Sequence, residues 1–188
     1  MSTDLPFFTI GHSNRSIEEF IDLLRGPHVE CIIDVRKIPM SRTNPQFNKN
    51  ALPQALASGQ IAYEHLEALG GRRSTAHSVP GGINGFWKNK SFHNYADYAL
   101  SAEFQAGLER LRARGRRQRC AIMCSEAVWW RCHRRLISDY LIAGGETVVH
   151  IMGMRRLEPA RLTVGAVIRP DGNVVYPVSK SSTGNPDG

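Results

Sequence analysis

The chain has no apolar run approaching the roughly 20 residues that a membrane-spanning helix needs. Its first residues, Met1-Ser-Thr-Asp-Leu-Pro6, carry neither the basic stretch nor the apolar core of a secretory signal. Both absences argue against a membrane partner and make the cytoplasm the expected compartment. Cysteine is scarce: Cys31, Cys120, Cys124 and Cys132 are the only four in 188 residues, too few for a disulfide framework. They are expected to be reduced thiols. No C-x2-C or H-x3-H spacing occurs, so the common zinc motifs are missing and no metal is expected. Internal repeats are also missing. Acidic residues are outnumbered 17 to 24 by lysine and arginine, which leaves a net charge of +7 and a pI near 9.6.

What is present reads as one α/β domain over residues 1–178, with a Ser-, Gly- and Pro-rich tail at 179–188 expected to be disordered. Phe7 to Gly11, Glu30 to Val35, Ile61 to His65, Cys120 to Cys124 and Thr147 to Ile151 are short apolar strand segments. Ser16 with Glu19 three residues later makes a capping box for a helix reaching Arg25. A short helix is expected to end near Ala57, another to span Asn94 to Arg114 with a break near Ser101, and a last one to run from Arg131 to Ala143. Thr163 to Ile168 and Val174 to Pro177 flank Asp171-Gly172 as a hairpin. Strands alternating with helices predict a three-layer, mainly parallel sheet of about five strands, with a C-terminal β-hairpin. Gly70 to His93 lacks periodicity and reads as a long loop, placed to close over a ligand.

The chemistry gathers at one edge. His12 with Ser13 and Asn14, Asp34 with Arg36, His65, and Cys124 with Glu126 all follow the carboxyl ends of expected strands. That edge is where open α/β sheets bind ligands. Cys132, His133 and Arg134 open the helix after the fourth strand, adding a thiol, an imidazole and a guanidinium. Glu126 and His12 are the expected acid/base pair, with Cys124 as a pocket thiol. Arg36 and Arg134 suit phosphate, since the guanidinium fork matches its oxygens, and Ser13, Asn14, His133 and Asp34 complete the expected ligand set. Tyr63, Trp87, Phe92, Tyr95, Tyr98, Trp129 and Trp130 offer faces on which a base could stack.

Six motifs carry a family resemblance: Thr9-Ile-Gly-His-Ser-Asn14, Asp34-Val-Arg36, Asn44-Pro-Gln-Phe-Asn48, Leu69-Gly-Gly71, Met123-Cys-Ser-Glu126 and Cys132-His-Arg-Arg135. In this order, from about Phe7 to Ile151, the chain resembles the domain-of-unknown-function 488 family. The resemblance implies a bacterial or archaeal cytoplasmic α/β protein, and some family members carry a DNA-repair label. It assigns no reaction.

The main functional expectation is an enzyme acting on a nucleotide or nucleic acid, without a tightly bound organic cofactor. A second class is a non-catalytic nucleic-acid-binding module, whose affinity comes from Arg110, Arg112, Arg114, Arg116, Arg117 and Arg119. A third is a thiol enzyme using Cys124, since Ile33-Asp-Val-Arg36 is reminiscent of rhodanese-like domains. The phosphate-cradling loop of such enzymes has the form C-x5-R, whereas the sixth residue after Cys124 is Trp130. Zinc binding faces a geometric objection. Adjacent helical residues point about 100° apart, so Cys132 and His133 on one helix would not share an ion.

Overall fold

A computed structural model describes residues 5–178, so the 179–188 tail lies outside the described residues. The elements are β1 (Phe7–Gly11), α1 (Ile17–Arg25), β2 (Cys31–Asp34), α2 (Leu52–Ser58), β3 (Ala62–His65), α3 (Lys90–Tyr98), α4 (Ala102–Gly115), β4 (Cys120–Cys124), α5 (Arg134–Ala143), β5 (Val148–Gly153), β6 (Arg156–Pro159), β7 (Val167–Ile168) and β8 (Val174–Val175). Six strands form one sheet in the order β3-β2-β4-β1-β5-β6, parallel except for β6, which runs antiparallel along β5. The expected mixed α/β sheet with a C-terminal hairpin is present, and β7 pairs with β8 as that hairpin. Arg156–Pro159 adds a sixth strand that the sequence pattern concealed, because its edge position leaves most of it exposed rather than apolar.

The inner parallel strands β1, β2 and β4 are buried on both faces, and their side chains alternate between two cores. On β4, Cys120, Ile122 and Cys124 point to one face with Phe104, Leu108, Leu136 and Tyr140 from α4 and α5. Ala121 and Met123 point to the other, with Phe20 and Leu24 from α1 and Leu52 and Leu56 from α2. Burying one side chain such as Phe20 or Leu24 fully is worth about 1.5–3 kcal/mol. The capping box of α1 is formed as expected: Glu19 N–H donates to Ser16 Oγ, and Ser16 N–H donates to Glu19 Oε2.

Two helix boundaries differ from expectation. α3 begins at Lys90 rather than Asn94, because the Asn89 side chain accepts from the amides of Ser91 and Phe92 and caps it there. The last helix begins at Arg134 rather than Arg131. Trp129–Arg131 is a separate 3-10 turn, and Cys132 is extended at φ −126° and ψ 148°. The break between α3 and α4 falls at Ser101, which caps α4 through the amide of Phe104.

The winding fixes where a ligand can sit. From β1 the chain crosses over β4 to β2 with α1 on one face, while from β4 it crosses over β1 to β5 with α5 on the other. The direction of winding reverses between β1 and β4, and a crevice opens at their carboxyl ends. The strands are in register there, with Gly11 opposite Cys124. Gly11 also meets the following loop: a Cβ at this position would overlap the carbonyl oxygen of Glu126. Gly11→Ala is therefore expected to displace the Ser125–Ala127 backbone and cost about 1–3 kcal/mol of unfolding free energy. Urea unfolding at pH 7.5 measures this; a midpoint unchanged from wild type would show that the loop yields freely.

Candidate functional site

A cavity of about 430 Å³ occupies the crevice. Its floor is His12 from the end of β1, Arg36 from the end of β2, Cys124 and Ser125 from the end of β4, and His133 from the start of α5. Lys37, Ile38, Met40, Ser41 and Asn44 form one wall, and Gly71, Arg72, Asn89, Ser91, Phe92, Tyr95 and Arg131 the other. Both ends of the segment expected to close over a ligand thus contribute to the site. No aspartate or glutamate lines it, while Arg36, Lys37, Arg72 and Arg131 do. Arg72 holds a left-handed backbone (φ 57°), sparsely populated for a side chain of this kind.

Arg36 is tied down. Its Nε and NH2 donate to the two oxygens of Asp34 at 2.9 and 2.7 Å, its NH2 also donates to the carbonyl of Phe47, and its NH1 lies 3.2 Å from His12 Nε2. Asp34 Oδ2 further accepts from the Tyr63 hydroxyl at 2.7 Å. The pair is buried and mutually neutralised, so Arg36 frames the floor more than it charges it.

His12 lies flat against Phe47, with ring centroids 4.3 Å apart. Its Nδ1 must donate to the Ser13 carbonyl at 2.7 Å, which leaves Nε2 to accept from Arg36. Burial, with the positive charge of Arg36, lowers its pKa from 6.5 to about 4. His12 is thus neutral near pH 7 and bonded at both nitrogens. His150 behaves alike: stacked on Trp129 at 4.5 Å and bonded to Thr9 Oγ1, it is lowered to about 4 by burial and by Arg134.

Beneath the floor lies Arg134, 1% exposed. It reaches Cys132 Sγ (3.3 Å), Thr9 Oγ1 (3.5 Å) and the Glu126 carbonyl, and so lies under the cavity rather than in it. Glu126, Ser13 and Asn14 are not among the cavity-lining residues; the Glu126 side chain is exposed to solvent. Of the residues anticipated from sequence, the fold brings together His12, Arg36, Cys124 and His133 on the floor, with Asp34 and Arg134 behind them. Lys37, Arg72, Asn89 and Arg131 were not singled out for the site. Only the Leu69-Gly-Gly71 motif marked that part of the wall.

Cys124, Cys132 and His133 form one cluster, with two sulfurs and Nδ1 all within 4.8 Å of one another. The extended backbone at Cys132 overturns the objection drawn from helical spacing, because the two neighbours do not share a helix. His133 Nε2 donates to the Val35 carbonyl at 2.8 Å, so its Nδ1 presents a lone pair to both thiols, 4.0 Å from Cys124 Sγ and 3.6 Å from Cys132 Sγ. The hydrogen bond with Cys132, together with burial, pushes the Cys124 thiol up to about 12. Burial would raise Cys132 as well, but the bond from Cys124 and the Arg134 guanidinium outweigh it and lower Cys132 to about 6. The sulfur that faces the cavity therefore carries the proton, and the thiolate lies behind it.

The arginine-rich stretch on α4 is partly self-neutralised. Arg110 and Arg114 pair with Glu64, and Arg112 pairs with Glu109 and Glu146.

A family model described as a domain of unknown function, DUF488, matches residues 16–141, two-thirds of the chain. The chain belongs to the DUF488 family. Comparison with curated proteins and with solved structures finds no match. The DUF488 match begins at the α1 cap and ends within α5, so it takes in the second and fourth strand ends and both cavity walls, but leaves β1 and His12 outside.

The two buried histidines make the stability of this DUF488 protein pH-dependent. Their folded pKa values lie below 6.5, so the unfolded chain binds more protons between pH 6.5 and 4. Stability is full above pH 6.5 and falls as pH drops toward 4, by up to about 2 kcal/mol per histidine between pH 7 and 5. Urea unfolding at the two pH values checks this. His150→Gln should show a shallower loss than wild type, and an equal loss would remove His150 from the account.

Proposed function

We propose that this protein is an enzyme acting on a phosphate-bearing ligand of nucleotide size, bound in the crevice between β1 and β4. The observation that carries the reading is a cavity of about 430 Å³ with Lys37, Arg72 and Arg131 in its walls, Arg36 in its floor and no carboxylate among its lining residues. A low-dielectric cleft lined by one sign of charge concentrates ligands of the other. With Arg36 neutralised by Asp34, Lys37, Arg72 and Arg131 supply the charge for phosphate, and the side-chain amides of Asn44 and Asn89 supply further donors. Ile38, Met40 and Phe92 give the same cavity apolar faces for a base. Phe92 is backed by Trp87 at 4.9 Å, which leaves its other face free of that contact. Chemistry belongs to the floor, where Cys124 and His133 meet the ligand; His12 orients and does not exchange protons near neutrality.

The non-catalytic alternative, in which α4 carries affinity for nucleic acid, is weakened by the glutamates already paired with Arg110, Arg112 and Arg114. The two classes separate in one calorimetric experiment with adenosine 5′-monophosphate and a single-stranded oligonucleotide as probes, in the presence of a chelator. The crevice reading predicts that the mononucleotide binds, that salt weakens it, and that Arg72→Ala with Arg131→Ala reduces affinity at least about 10-fold per arginine. Binding of the oligonucleotide alone, lost in Arg116→Ala with Arg117→Ala, would move the function to the arginine stretch that ends α4 and follows it. Following the bound nucleotide by phosphorus NMR, without chelator and with Zn²⁺ supplied, tests catalysis: conversion that stops in Cys124→Ser supports the enzyme, and binding without conversion by wild type contradicts it.

A further inference from the structure

We propose that Cys124, Cys132 and His133 form a zinc-binding site whose fourth coordination position opens into the cavity. The inference rests on the geometry of the three side chains and stands whether or not the ligand is a nucleotide.

Distances come first. Tetrahedral zinc with Zn–S near 2.3 Å and Zn–N near 2.0 Å places sulfur and nitrogen about 3.6 Å apart and two sulfurs about 3.8 Å apart. Here the two S···N distances are 3.6 and 4.0 Å, and all three atoms lie within 4.8 Å of one another. Small side-chain rotations close the set on an ion.

The surroundings prepare each ligand. His133 donates its Nε2–H to the Val35 carbonyl, which fixes the ring and leaves Nδ1 as a lone-pair donor, the usual outer-shell bond of a metal-bound histidine. Arg134 Nε donates to Cys132 Sγ, stabilising a thiolate there. Gly71 keeps the ring nitrogen uncovered, since a Cβ at that residue would sit 2.9 Å from Nδ1. Two thiolates and a neutral imidazole cancel the charge of a divalent cation, which leaves Arg134, hydrogen-bonded to Cys132 Sγ, as the remaining buried charge beside the filled set; any thiol proton displaced passes to solvent.

The donor atoms choose the ion. Two sulfurs and a ring nitrogen suit zinc, whereas calcium and magnesium need oxygen ligands that this cluster lacks. Three protein ligands plus an open position is the arrangement of catalytic rather than structural zinc. Cys124 and His133 line the cavity while Cys132 does not, so the open position faces whatever Lys37, Arg72 and Arg131 hold. An ion there would polarise an oxygen of that ligand or of a bound water.

The test uses the reduced, full-length chain, stripped of metal and given Zn²⁺ alone against a chromophoric chelator, with no nucleotide present. One equivalent is expected to bind. Cys124→Ser, Cys132→Ser and His133→Gln should each weaken it by more than about 100-fold, while Cys31→Ser, at a buried thiol distant from the cavity, binds as wild type does. Substituting Co²⁺ into the wild-type protein gives a readout independent of variant folding: intense thiolate-to-cobalt charge-transfer bands with tetrahedral visible bands. No binding, binding indifferent to the three substitutions, or a cobalt spectrum without thiolate bands would each overturn the proposal. Mononucleotide binding with a chelator present reports on the ligand reading separately.

Discussion

The arrangement depends on one buried cation. Arg134 is 1% exposed at the start of α5, and among the described residues no carboxylate pairs with it. An unpaired buried charge is costly unless hydrogen bonds and an opposite charge compensate it. Arg134 finds them in the Glu126 carbonyl, the Thr9 hydroxyl and the sulfur of Cys132. The dependence is mutual, since the hydrogen bond from Cys124 and the same guanidinium that needs an anion together lower the Cys132 thiol against its burial. Those three bonds tie β1, the loop after β4 and Cys132, two residues ahead of α5, to one point. With Gly11 admitting the Glu126 carbonyl against β1, they decide the path of residues 124–134.

That path produces the site. Because the chain is extended at Cys132 before the helix starts, successive residues turn a sulfur and a ring nitrogen toward Cys124 instead of fanning them around a helix. The same turn sends Arg131 to the cavity wall. Charge is thereby layered. Asp34 and Arg36 cancel each other in the floor and Cys132 answers Arg134 beneath it, which leaves Lys37, Arg72 and Arg131 as the charge the cavity shows to a ligand.

The sequence made the strand ends legible because parallel strands buried on both faces read as apolar runs, and His12, Asp34 and Cys124 punctuate them. β1 and β4 were readable to the residue. The register that joins Gly11 to Cys124 was not, since pairing between distant strands leaves no local pattern. Edge strand β6 was missed for a related reason, being exposed and short. Glu126 stood out as a lone carboxylate beside a cysteine, but its carbonyl rather than its side chain faces the interior. Arg134 reads as a phosphate ligand in sequence because an arginine at a helix start looks alike there whether it points out or in. Cys132 and His133 read in sequence as helical neighbours, and no local signal announces that the helix waits until Arg134. Arg72, the left-handed residue of the wall, follows two glycines that marked the turn but not its purpose.

Amide-resolved hydrogen exchange on Arg134→Met tests the organising role of this cation most directly. Methionine fills much of the same volume without needing an anion, so global stability need not fall. The account predicts that the amides of Ser13, Arg131 and Cys132, which bond across or within the loop, lose protection while those of β2 and β3 keep theirs. Unchanged protection at those three amides would contradict it, and the path of residues 124–134 would then be set by something other than Arg134.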